Sequence, residues 1–236
     1  PKIWHALAGT VLRLNIRIKV FFPEKITSIR PRDKVLEIGP GSSPHPRSDA
    51  FLELYFTDRQ DKISQRGGIV KDAKFGNRPV YYYDGSKFPF GDNQFDYVIC
   101  SHVVEHVADP SGFLKEVFRV GTGRGYLEHP LITYEYLYGF DVHLHFVKFD
   151  FESKLLRYLP KRDTLFSEFA SVQAIFFKTL ESGWDDLCAA NKSLFFEGVE
   201  FHQPFAVERT FDINMLLPSE SLILPKRTVR KFLGRL

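Results

Sequence analysis

The sequence is poor in sulfur: its 236 residues include two cysteines, Cys100 and Cys188, and one methionine. Neither cysteine lies in a Cys-x-x-Cys pair, which argues against a zinc ribbon and a redox dithiol. No disulfide framework is supported, and two reduced thiols in a cytoplasmic protein are expected. Long apolar runs are also missing, since none reaches the roughly 18 residues needed to cross a bilayer. The stretch from Trp4 to Phe22 is apolar but interrupted by Arg13, Arg17 and Lys19. Without a small-residue cleavage site it does not read as a signal peptide. Strong charge of one sign is lacking as well. A formal net charge of +3 neither demands nor excludes a nucleic acid, and with no RNA-binding appendage nucleic acid is not expected as a partner.

Aromatic residues are plentiful, with 24 Phe and 10 Tyr, enough for a stiff aromatic core or substrate pocket. The length suits one α/β domain with a lid or tail. Residues 1–32 are expected to form an N-terminal helical segment, 33–150 the core, and 151–236 a helical or α/β cap that completes the domain. The basic, apolar stretches 3–22 and 226–236 are candidates for peripheral membrane or partner contact.

Short apolar runs read as strands at Lys34–Ile38, Ala50–Phe56, Val80–Tyr83, Phe95–Cys100 and Tyr126–Glu128. Pro44 and Pro46 make a long helix after the first strand improbable. Asp109-Pro110 is a helix start, with an Asp cap and Pro in the first turn, and Gly121 closes that helix. Strand–helix alternation predicts a doubly wound, mostly parallel sheet. Farther on, 149–159 and 167–181 are expected to be helical.

The chemistry-bearing residues gather at the predicted strand ends. Gly39-Pro40-Gly41 follows Glu37-Ile38 directly, and a glycine turn there lets a ligand approach the backbone. The usual dinucleotide pattern Gly-x-Gly-x-x-Gly fails at Pro44, and no phosphate-loop Lys-Ser/Thr follows. The second strand carries Glu53, with Asp58 just beyond it; either carboxylate could accept two ribose hydroxyls. The third ends at Asp84-Gly85 and the fourth at Ser101-His102.

Val35 to Gly41, Asp84-Gly85 before Phe88-Pro89-Phe90, and Phe95 to Val107 together resemble the class I S-adenosylmethionine (SAM)-dependent methyltransferases, more narrowly the methyltransferase type 11 group. The resemblance spans roughly residues 33–130 and implies a Rossmann-like fold with SAM as cofactor. It places Gly39, Pro40 and Gly41 beneath the methionine and ribose, with Glu37 fixing that loop. Glu53 is preferred over Asp58 for the ribose, Asp84 faces the adenine amine with Gly85 beside the ring, and Ser101 and His102 line the methionine end. The third loop glycine of the family is replaced by Ser42-Ser43-Pro44.

The implied activity is methyl transfer to an oxygen or nitrogen of a small molecule or sugar. The alternative is a non-catalytic SAM-fold binding or scaffold protein. If the acceptor must lose a proton, His143 and His145 are candidate catalytic bases, with His129 another. The spacing His102-x-x-Glu105-His106 would set both imidazoles on one helical face, and related methyltransferases bind a divalent ion through Glu-x-x-Glu-His. The first Glu is His102 here, so no metal is assigned. Glu105 and His106 are expected to shape a helix start. Tyr134, Tyr136, Tyr138, Phe140 and Phe146 could wall an acceptor pocket or form core.

Overall fold

A computed structural model describes residues 20–58, 73–178, 188 and 190–218. Most of the N-terminal basic stretch and all of 226–236 lie outside the described residues. The central sheet contains β1 (Val35–Ile38), β2 (Ala50–Leu54), β3 (Val80–Tyr83), β4 (Tyr97–Ser101), β5 (Gly125–Pro130) and β8 (Phe196–Phe201). Their order is β3-β2-β1-β4-β5-β8. The first five are parallel and β8 joins β5 antiparallel. The expected mostly parallel doubly wound sheet is therefore present, and its order reverses between β1 and β4, where such sheets open a crevice at their carboxyl edge.

β1, β4 and β5 are buried along their whole length, as strands covered on both faces must be. On one face Leu36, Ile38, Val98 and Cys100 pack with Phe113, Leu114 and Val117. These last three lie on α1 (Pro110–Val120), whose apolar positions recur at helical spacing. Burying a side chain such as Leu114 contributes about 1.5–3 kcal/mol. On the other face Val35, Tyr97, Ile99 and Tyr126 meet Val20, Phe22, Phe195 and Phe196.

The Asp109 side chain accepts from Ser111 N at the start of α1. Gly121 ends that helix without a left-handed turn, at φ −92°. A Cβ there would lie 2.9 Å from Val98 Cγ2, so close helix–sheet approach requires the glycine.

The region 149–159 corrects the sequence reading: it is not helical. β6 (His145–Asp150) and β7 (Leu155–Pro160) form an antiparallel hairpin, joined in a second sheet by β9 (Ala206–Arg209). Residues 150–154, polar apart from the exposed Phe151, are its turn. Asp150 accepts from the backbone of Glu152 and Ser153, and Lys154 adopts φ +51°. Of the expected helix 167–181, α3 (Ala170–Phe177) is formed, preceded by a 3-10 turn over Leu165–Phe169. Two further short helices, α2 (Ile132–Tyr138) and α4 (Lys192–Phe195), flank the ends of β5 and β8. Among the described residues no helix is long and apolar enough to cross a membrane.

Candidate active site

Strand register aligns the predicted residues. Ile38 pairs with Leu52 on β2 and with Cys100 on β4, which sets Gly39 level with Glu53 on one side and Ser101 on the other. Gly39 N donates to Leu52 O at 2.8 Å, Glu53 pairs with Tyr82, and Ser101 pairs with Glu128. One row thus crosses the carboxyl edge of the sheet.

The turn itself depends on its glycines. Gly39 and Gly41 take φ +57° and +62°, a region where a Cβ clashes with the backbone. Glu37, buried on β1, holds the following loop: its Oε2 accepts from His45 N at 2.8 Å and Ser48 Oγ at 2.7 Å. Ser42-Ser43-Pro44 stands in a crossover without a helix, and this carboxylate does the anchoring.

Glu53 is 7% exposed on β2, whereas Asp58 is exposed and four residues beyond that strand. Asp84 follows β3 and is exposed. It accepts from Ser86 N at 3.0 Å and from Ser86 Oγ, contacts that hold its carboxyl below the usual range. Gly85 beside it has φ +94°.

Ser101 and His102 meet at a carboxylate that the sequence reading did not single out. Glu128, fully buried on β5, accepts from Ser101 Oγ at 3.0 Å, from Tyr126 Oη, and from the backbone N–H of Phe21 and Phe22 at 2.9–3.0 Å. His102 Nε2 lies 3.0 Å from the same carboxylate, and Nδ1 lies 3.4 Å from Glu105. Burial would lower the imidazole, but contacts with Glu105 and Glu128 outweigh it and raise its pKa from 6.5 to about 9. The signal for Glu128 was in the sequence: an acid inside an otherwise apolar buried strand needs partners.

The expected helical face of His102 and His106 is not formed. Residues 104–106 form a turn and 103–108 contain no helix, and His102 takes φ +53°. The turn is fixed to the loop before β6, where Leu144 N and His145 N donate to Glu105 O at 2.7 and 3.3 Å. That loop brings His143 against His106, with ring centroids 4.5 Å apart. His143 Nδ1 lies 2.5 Å from Glu135 Oε1, and Lys161 pairs with the other Glu135 oxygen. Burial, with the adjacent His143, lowers His106 to about 3.

His145 is 5% exposed and its Nε2 bonds Val107 O at 3.0 Å; His129 is fully buried with Nε2 3.4 Å from Glu197. All three rings sit in structural contacts; His143, bonded to Glu135, is the most exposed of them. Of the expected aromatic wall, Tyr138 and Phe146 are core. Tyr134 stacks on Phe140 and packs on Phe196, and Phe196 and Phe21 edge the His102 ring.

Residues 36–128 match the family model of the methyltransferase domain. Over 126 residues the chain is 29% identical to cycloartenol-C-24-methyltransferase 1 of Oryza sativa subsp. japonica, covering 49% of this chain and 35% of that protein. The chain therefore spans about a third of that curated relative's length. Among solved structures it is similar to a SAM-dependent methyltransferase from Aquifex aeolicus, at 20% identity, coverage of 51% and 69% of the two chains, and TM-score 0.32. Another, from Methanosarcina mazei, is 20% identical with coverage of 53% and 70% and TM-score 0.31.

Proposed function

We propose, from the match of residues 36–128 to the methyltransferase-domain family model, that the chain is a class I SAM-dependent methyltransferase that moves the methyl of SAM to an oxygen or nitrogen of a small molecule or sugar. The observation that carries the proposal is the row Glu53–Gly39–Ser101 across the switch point of the sheet. The two left-handed glycines leave the backbone open to a ligand there, and the donor set suits SAM. Glu53 would accept the ribose hydroxyls, Asp84 the adenine amine beside Gly85, and the Gly39-Pro40-Gly41 turn would pass beneath the methionine and ribose. Ser101 and His102 would line the methionine end, and Glu37 keeps the loop in place.

When bound, SAM supplies a methyl already activated by its sulfonium, so the protein's contribution is orientation and exclusion of water. Half-buried Tyr134 and Phe140, the first packed on the buried Phe196 that edges His102, would offer aromatic area to an acceptor. His143, 11% exposed, is placed to take a proton where the acceptor must lose one.

Calorimetry with SAM tests the first half, with saturable binding expected; no heat at millimolar cofactor would overturn it. A methyl-transfer screen tests the second. Binding without transfer to any small-molecule or sugar acceptor would instead favour a SAM-fold binding module, a reading to which the Ser42-Ser43-Pro44 loop also lends itself.

A further inference from the structure

The turn after β4 and the loop before β6 bring together three ligating groups of a kind that bind metal. Ligand atoms from Glu105, His106 and His143 all lie within 4.8 Å of one another. Glu105 comes from the centre of the turn and His143 from a loop 38 residues later, and the backbone bonds from Leu144 and His145 to Glu105 O fix the two segments together.

Three further observations single out this cluster. Glu105 is fully buried; its Oε1 lies 3.4 Å from His102 Nδ1, and neither carboxylate oxygen receives a well-formed hydrogen bond. A buried carboxylate in that condition is costly, and it is usually paired or coordinated. His143 is bonded through Nδ1 to Glu135, which leaves Nε2 as its ligating atom. This is the carboxylate–imidazole arrangement that orients metal-bound histidines, and Lys161 steadies the same carboxylate. His106 and His143 remain 17% and 11% exposed, a route of entry from solvent.

We propose that Glu105, His106 and His143 form a binding site for a divalent transition-metal ion of the zinc or cobalt type. Two imidazole nitrogens and one carboxylate oxygen are the donors such ions prefer, whereas Mg²⁺ and Ca²⁺ favour all-oxygen sets. With bonds of about 2.1 Å, two ligand atoms on one ion stand no more than about 4.2 Å apart, so the side chains close slightly around it. His102 is not counted as a ligand, because both of its ring nitrogens already face carboxylates, Nε2 at Glu128 and Nδ1 at Glu105. It links this site to the strand-end row, and His143 in this role holds a cation rather than a proton.

The proposal stands apart from methyl transfer, because its readout is the metal itself. The chelator-treated full chain is titrated with Co²⁺ and followed by visible absorption. One equivalent should develop a d–d band that Zn²⁺ abolishes. Glu105→Gln and His143→Ala should each weaken Co²⁺ binding at least tenfold, while His202→Ala, at an exposed position after β8, should leave it unchanged. Absence of a saturable band in the unsubstituted protein would overturn the proposal. So would a folded His143→Ala protein, verified by circular dichroism, that binds Co²⁺ with undiminished affinity.

Discussion

Replacing Glu53 by Gln separates the two candidate ribose acids. Glu53 is 7% exposed, so its carboxylate meets little competing water and its hydrogen bonds to a ribose would be charge-assisted. Such bonds contribute about 1.5–3 kcal/mol each. Glutamine keeps the shape and one acceptor oxygen but loses the charge and the second acceptor. The net loss is about one such bond, equivalent to a roughly 10- to 150-fold rise in the dissociation constant for SAM. Asp58 is exposed beyond the end of β2, and Asp58→Asn should change the constant by less than about twofold, within the range of a solvated contact. Titration calorimetry on both variants, with circular dichroism to confirm folding, is the assay. Equal effects, or a larger one at Asp58, would refute the assignment.

Glu128→Ala strands the donors of Ser101, Tyr126, Phe21 and Phe22 and the His102 imidazole, and should cost about 3–5 kcal/mol in urea-monitored unfolding; a loss below about 1 kcal/mol would show the node to be unimportant. Gly39→Ala must hold φ +57° and should lower stability by about 1–2 kcal/mol and weaken SAM binding, both read on the same protein. Asp109→Ala removes the cap of α1 and should lower stability by about 0.5–2 kcal/mol without altering SAM affinity. His45 is pushed below its ordinary 6.5, first by burial and then by Arg47. The unfolded chain therefore binds this proton more readily, and the contribution of His45 to stability is lost as pH falls from about 6.5 through the folded value. His45→Gln should flatten that part of a stability-versus-pH curve.

The strand ends were legible because they depend on local chemistry. A buried apolar run followed by Gly39-Pro40-Gly41 has few conformations open to it, and Asp109-Pro110 carries its own start signal. The hairpin of β6 and β7 was not legible. Phe149, Leu156 and Leu159 satisfy a helical period as well as a strand one, and the Asx turn at Asp150 decided between them. His102 and His106 misled for a related reason: their spacing fits a helix, but the positive φ of His102 and the pull of Glu128 begin a turn instead. The meeting of Glu135 with His143 and Lys161 could not have been assigned from sequence, since it depends on how α2 and the end of β7 pack.

The antiparallel pairing of β8 with β5 has a consequence for synthesis. Six residue pairs, from Gly125–Phe201 to Pro130–Phe196, cover the outer edge of β5. Until residue 201 has left the ribosome, β5 presents an open row of amides and carbonyls to any neighbouring nascent chain. A fragment cut at the end of the matched segment, residue 128, would keep that edge bare permanently. Such a fragment should self-associate, even though every residue of the Glu53–Gly39–Ser101 row lies within it.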